Sequence, residues 1–136
     1  MIKQFSFSVN GQGLHSITDA ITNKISELLP QQDGLCTLYI QHTSASLLIQ
    51  ENYDDSARRD LEQWLNRLVP EHDPLYTHTL EGNDDMPAHI KATLTATSLS
   101  IPIIKGQLAL GNWQGIYLWE HRHAPAERNI IMHIGA

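Results

Sequence analysis

The sequence predicts an α+β protein, a single domain with mostly antiparallel sheets and three helices. Three observations lead there. The chain has 136 residues, the size of one domain, and carries no linker, repeat or low-complexity stretch that would divide it. Its apolar residues alternate or cluster in strand-length blocks, broken by three stretches of helical periodicity. The blocks run strand, helix, two strands, two helices, three strands, and strands that follow one another directly favour antiparallel pairing.

Each element has its own signal. "IKQFSFSVN" alternates, with Phe5, Phe7 and Val9 on one face, as in a half-buried strand. "GQG" turns the chain. Ile17, Ile21, Ile25, Leu28 and Leu29 then recur at helical spacing, with Ser16 or Thr18 as cap and Pro30 as the stop. "GLCTLYIQH" and "SASLLIQE" read as strands joined at "HTS". "YDDSARRDLEQWLNRLVP" is a second helix. Its expected buried stripe is Ala57, Leu61, Trp64, Leu65 and Leu68, and Asp54 and Asp55 suit its positive N-terminal end.

"EHDPLYTHTLEGNDD" is a polar connection with room for a short strand around Tyr76–Thr79. A third helix is expected from Asp85 or Met86, where Pro87 is tolerated in the first turn, with Ile90, Leu94 and Thr97 facing inward. "SIPIIKGQLALG", "WQGIYLWEHR" and "RNIIMHIG" complete the strands, and Gly106, Gly111 and Gly115 mark turns or close backbone approaches. Helices covering one face of the sheet leave the other face, or an edge, for contacts between copies.

Composition narrows the function. The formal charge is −6 and the nine basic residues are scattered, which argues against nucleic acid or an anionic membrane surface as partner. The apolar runs are too short to span a bilayer, and the N-terminus lacks the apolar core of a signal peptide, so a cytoplasmic protein is expected. The single cysteine, Cys36, excludes an internal disulfide and reads as a small buried hydrophobe. Eight histidines is a high number for a residue that binds metals and moves protons near neutral pH.

Polar residues gather in four places. "QHTSAS" sets His42 among hydroxyls at a strand end, as a backbone-bonded turn histidine, a ligand or a general base. "QENYDD" puts Asn52 at a strand-to-helix corner, where sites often form. "EGNDDMPAHIK" places Asn83, Asp84 and Asp85 at a helix start with His89 one turn on and Lys91 beyond. Asp85 and His89, four apart, share a helix face. Helix capping accounts for one aspartate there. It does not account for Asn83, both acids, His89 and His78 together, whereas a divalent metal held by imidazole and carboxylate would. A helix N-terminus can also receive a phosphate. "GNWQGIYLWEHRH" alternates Trp113, Tyr117 and Trp119 as a core or interface stripe and ends in Glu120, His121, Arg122 and His123. Arg122 has the donor fork to grip a phosphate or pair with an acid. No zinc-finger, HExxH, P-loop, Rossmann, EF-hand or GxSxG pattern is present.

"QHTSASLLIQEN", "EGNDDMPAHIKATL" and "GQLALGNWQGIYLWEHR" together resemble the signatures of the YjbQ family, over nearly the whole chain. That family has long been carried as uncharacterised and is named secondary thiamine-phosphate synthase. The resemblance implies an α+β subunit assembled as a homotrimer. It also implies a polar pocket built from His42, Asn83, Asp84, His89 and the strand end at Glu120–Arg122. The implied reaction joins hydroxymethylpyrimidine diphosphate to a thiazole phosphate and releases pyrophosphate, as a weak or secondary activity.

On that expectation a divalent ion, zinc or magnesium, lies near His42, Asp84 and His89. These three are the expected catalytic residues, with Asn52, Asn83, Lys91, Glu120 and Arg122 binding the small phosphorylated substrate. Arg122 or Lys91 shares the diphosphate charge. Two alternatives stand beside this: a metal-dependent hydrolase or phosphate-transfer enzyme using the same pocket, and a non-catalytic protein binding a small anion or a metal.

Overall fold

A computed structural model of the protein describes residues 1–135. Eight strands and three helices follow in the order β1 (Ile2–Val9), β2 (Gly13–Ser16), α1 (Thr18–Leu28), β3 (Gly34–Ile40), β4 (Ala45–Glu51), α2 (Asp55–Leu68), α3 (Asp85–Leu94), β5 (Ser98–Ile104), β6 (Gln107–Leu108), β7 (Gln114–Glu120) and β8 (Ala126–Gly135). They form two sheets, one of five strands ordered β1-β8-β3-β5-β6 and one of three ordered β2-β7-β4. Every pairing is antiparallel.

The main core lies between the sheets and under α1. Ile21 and Ile25 of α1 meet Leu38 and Ile40 of β3, Leu47 of β4, Ile116 and Leu118 of β7, and Ile130, Met132 and Ile134 of β8. A second cluster on the far side of the small sheet joins Leu14, Tyr117 and Trp119 to Leu65 and Val69 of the α2 region. Successive side chains of a strand point to opposite faces. Strand β7 therefore feeds one core with Ile116 and Leu118 and the other with Tyr117 and Trp119, which is why its sequence is an unbroken apolar run.

Several local expectations change. The "GQG" turn leads into β2, an edge strand too short to show alternation, before α1 begins. Neither Ser16 nor Thr18 caps α1; Thr18 instead bonds the backbone of Ile116. On α2 the buried stripe narrows to Leu65, with Leu61 packed beside it, while Trp64 and Leu68 are about half exposed. Tyr76–Thr79 forms no strand. Leu94 and Thr97 point outward. Trp113 precedes β7 rather than sharing its buried face and packs against Tyr53 with the rings tilted.

Of the three glycines singled out, Gly106 has φ +78° at the β5–β6 hairpin, a conformation that favours glycine. At Gly115 a Cβ would lie 2.8 Å from the Asn52 Cβ, so that glycine lets the β4 end pack close. Cys36 is buried in the core, and burial pushes its thiol up to about 11, away from the reactive thiolate.

Candidate functional site

The inward stripe of β8 runs Ile134, Met132, Ile130 and ends in a charge, Arg128. The matching stripe of β7 runs Ile116, Leu118 and ends in Glu120. A charge at the end of a core must be neutralised and hydrogen-bonded there. Arg128 donates Nε to Glu120 Oε1 at 2.6 Å and Nη2 to Oε2 at 2.5 Å. Its Nη2 also reaches Ser44 Oγ at 3.0 Å. The backbone N–H of Arg122 donates to Glu120 Oε2 at 3.1 Å. Glu120 is wholly buried, so it holds two arginines in place rather than meeting a substrate.

Above this pair sits the start of α3. Asp84 makes no side-chain cap. It accepts instead from the His123 backbone N–H at 2.8 Å and from Arg122 Nη2 at 3.2 Å, tying the helix start to the end of β7. Arg122 also reaches the Glu81 carbonyl at 2.7 Å and Asp85 Oδ1 at 2.9 Å. Partial burial pushes the Asp84 carboxyl up, but the His123 N–H and the Arg122 guanidinium outweigh it and hold it below the ordinary range. Asp85 is balanced likewise: burial raises it, and His78, His89 and Arg122 together lower it. The same carboxylates raise the Arg122 pKa further.

Asp85 is the centre of the cluster. His78 Nε2 lies 2.6 Å from its Oδ2, and His89 Nε2 lies 3.1 Å from the same oxygen. One donor atom from each of the three residues lies within 4.8 Å of the others, a spacing that could hold a metal ion. The second nitrogen of His89 is decisive for its chemistry. Nδ1 lies 2.9 Å from the Thr43 carbonyl, which can only accept, so Nδ1 carries a proton. In a neutral ring Nε2 is then a bare lone pair facing a carboxylate. Either that nitrogen takes up a second proton and donates it to Asp85, or it is open to a cation held together with the carboxylate. Imidazoles that bind metals characteristically donate their other N–H in this way.

The expected residues do not all assemble. His89 is in the cluster, but Asp85 and His78 supply the other two donors, and Asp84 is spent on Arg122 and His123. His42 is close by without belonging to it. It lines a groove of about 270 Å³ with Thr43, His89, Ala92, Thr93 and Thr97. Its Nε2 accepts from the Asn129 backbone N–H at 2.8 Å, which removes that nitrogen from metal binding. Burial, then the charge of Arg128, lowers its pKa against the pull of Glu120.

Asn83 is exposed at the foot of α3, beside Arg122's partners. Asn52 follows the far end of β4, ~20 Å along the strand from the cluster. Lys91 is buried on another face of α3, where Nζ donates to Asn66 Oδ1 at 2.5 Å, and burial lowers its pKa. The spacing of Asp85 and His89 by one turn was the sequence signal for their contact. His78 gave none beyond being a histidine, because the loop that returns it to α3 has no periodicity. Arg128, inside an apparent core strand, was missed; the signal was a charge at an inward position of an alternating strand.

The family described as UPF0047 protein YjbQ-like matches residues 3–136. The chain belongs to the YjbQ family. The UPF0047 protein YjbQ of Escherichia coli O157:H7 is 43% identical over 129 residues, covering 95% of this chain and 93% of that one. A UPF0047 protein of Synechocystis is 46% identical over 127 residues, covering 93% and 86%. An uncharacterised YjbQ/UPF0047 protein of Clostridium acetobutylicum, solved by crystallography, is 34% identical with a TM-score of 0.86, covering 97% of this chain and 98% of its own. The YjbQ-family fold is thus the two-sheet α+β arrangement described above. No helix among the described residues is long and apolar enough to cross a membrane.

Proposed function

We propose that this YjbQ-family protein is a metal-dependent enzyme acting on a phosphorylated small molecule in the cytoplasm. Its proposed reaction is that of a secondary thiamine-phosphate synthase. The observation that supports the metal part is the His78–Asp85–His89 cluster: the Thr43 carbonyl fixes His89 Nδ1–H, which leaves Nε2 facing Asp85 as a donor atom for a cation. His78, Asp85 and His89 would hold a divalent ion, and two imidazoles with one carboxylate suit zinc better than magnesium, which prefers oxygen. Such an ion would supply positive charge to a departing diphosphate.

The chain's own residues would bind and orient. Arg122 has a second Nη1–H beyond the one directed at Asp85, available to a phosphate oxygen. Asn83 stands exposed at the same rim. The thiazole ring nitrogen would attack the methylene carbon of the pyrimidine diphosphate. The C–N bond forms as the C–O bond breaks, and pyrophosphate leaves with the electron pair. No proton moves, so positioning and charge suffice without a general base. Lys91, turned toward Asn66, takes no part.

Metal analysis and synthase assay of the same preparation test this. About one divalent ion per chain is expected, and Asp85→Asn and His89→Ala should lose both the ion and turnover. Undiminished turnover in folded, metal-free protein would overturn the reading. Three donor residues also leave positions open to a small molecule, which favours a hydrolase as the second reading. Release of phosphate from phosphorylated metabolites without thiazole phosphate would select it. Tight binding without turnover would select the non-catalytic alternative.

The same reading makes the working form a homotrimer. What supports an assembly is the outer face of the five-stranded sheet, which no helix covers and which exposes Ile2, Leu35, Tyr39 and Ile104.

A further inference from the structure

His42 presents the converse of His89. Its Nε2 lies 2.8 Å from the Asn129 backbone nitrogen, and a backbone N–H can only donate. The neutral ring must therefore carry its proton on Nδ1. That nitrogen lies 3.3 Å from Arg128 Nη1, and a guanidinium nitrogen also only donates. Two N–H groups converge with no acceptor between them. The other tautomer is worse, since it sets Nε2–H against the Asn129 N–H at the shorter distance. Arg128 cannot swing away, because Glu120 holds its Nε and Nη2.

Ser44 adds a third donor. Its Oγ accepts from Arg128 Nη2 at 3.0 Å, and its own proton has no acceptor among the described residues. Ser44, Arg128 and Arg122 line a cleft of about 260 Å³ with Ala124, Pro125 and Ala126, and Ser44 also lines the groove on its other side, which holds His42 and Thr43. Between the two donor residues of the strand connection stands Thr43, whose carbonyl orients His89. His42 and Ser44 thus present donors without an acceptor, while Thr43 between them orients a histidine of the His78–Asp85–His89 cluster.

We propose that His42 Nδ1–H, Arg128 Nη1–H and Ser44 Oγ–H form a subsite for a phosphoryl group, beside the His78–Asp85–His89 cluster. The donors arrive from two elements, β8 and the β3–β4 connection. A tetrahedral phosphoryl group presents acceptors in several directions and can meet all three. A planar carboxylate matches the guanidinium fork best, and Glu120 already occupies that fork. Because Glu120 neutralises Arg128, binding rests on directed hydrogen bonds more than on net charge. This assignment rests on the phosphorylated-substrate reading for its purpose, but the binding it describes does not require the metal.

The test uses full-length ¹⁵N-labelled protein stripped of metal and titrated with inorganic phosphate, pyrophosphate or acetate. Long-range ¹H–¹⁵N spectra of the imidazoles report tautomer and contact. His42 is expected as the Nδ1–H tautomer, with Nδ1 moving on addition of phosphate or pyrophosphate and not of acetate. His42→Gln keeps an acceptor for the Asn129 N–H and removes the Nδ1 donor. That variant and Ser44→Ala, each confirmed folded by thermal melting, should weaken phosphate binding about tenfold or more. An Nε2–H tautomer, an unmoved Nδ1, equal response to acetate, or wild-type binding in both variants would overturn the subsite. Phosphate binding seen only with metal present would overturn it too while leaving the metal centre standing. A protein that binds phosphate here but never holds a metal would do the reverse.

Discussion

Replacing Glu120 by glutamine should remove a large share of the protein's stability while barely changing its shape. The carboxylate is fully buried and accepts three hydrogen bonds, two from Arg128 and one from the Arg122 backbone. In Glu120→Gln the amide keeps one acceptor oxygen, but its NH₂ meets a guanidinium N–H, and Arg128, only 7% exposed, keeps an unneutralised charge. Breaking a buried pair by removing one partner costs about 3–5 kcal/mol. A chain of this length has roughly 7–20 kcal/mol in total. With a urea dependence of about 1.5 kcal/mol per molar, the unfolding midpoint should fall by about 2–3 M. Urea unfolding at pH 7 and fixed protein concentration, followed by tryptophan fluorescence, measures this. Arg128→Met in the same background should recover part of the loss by removing the stranded charge. A midpoint shift below about 0.5 M would show that the pair is solvated, and the account of the scaffold beneath the site would fail with it.

Three further outcomes are expected. Burial, followed by the charges of Lys91 and Arg128, drives the His121 pKa down to about 3, so the unfolded chain binds the proton that the folded chain refuses. Stability should then drop by about 2 kcal/mol between pH 7 and pH 5, and His121→Gln should flatten that part of the urea midpoint profile. The lowered pKa of Asp84 contributes stability that is present above its ordinary value near 3.8 and is lost as pH falls through the folded value. Asp84→Asn should therefore reduce stability by about 1 kcal/mol at pH 7 and have little effect near pH 2, as acid-denaturation curves would show. Tyr39→Glu, on the uncovered face of the five-stranded sheet, should shift the protein to a smaller species in sedimentation velocity; an unchanged mass would place the assembly contacts elsewhere.

The amino-acid order alone carried much of the fold. Alternation in β1, the helical spacing of Ile17, Ile21 and Ile25, and the turn at Gly106 are consequences of backbone geometry and local sterics, and they are readable from neighbours in the chain. The i, i+4 pair Asp85 and His89 is legible for the same reason. The division into two sheets was not legible, because the partner of a strand is chosen by how faces pack, and β7 shows only that both its faces are buried.

Which side chains meet at the candidate site was decided by tertiary structure. Whether Asp84 or Asp85 faces His89 depends on where Arg122 and the His123 N–H arrive from β7. His78 joins through a loop without periodicity, and Arg128 reaches the site by pairing with a carboxylate eight residues away in sequence and across a sheet gap. The proton placement in His89 and His42 comes from single partners, the Thr43 carbonyl and the Asn129 N–H, brought by chain remote from each ring. A sequence records which residues can donate or accept. Only the folded chain decides which atom stands opposite which, and so which ring nitrogen of His89 and of His42 carries the proton.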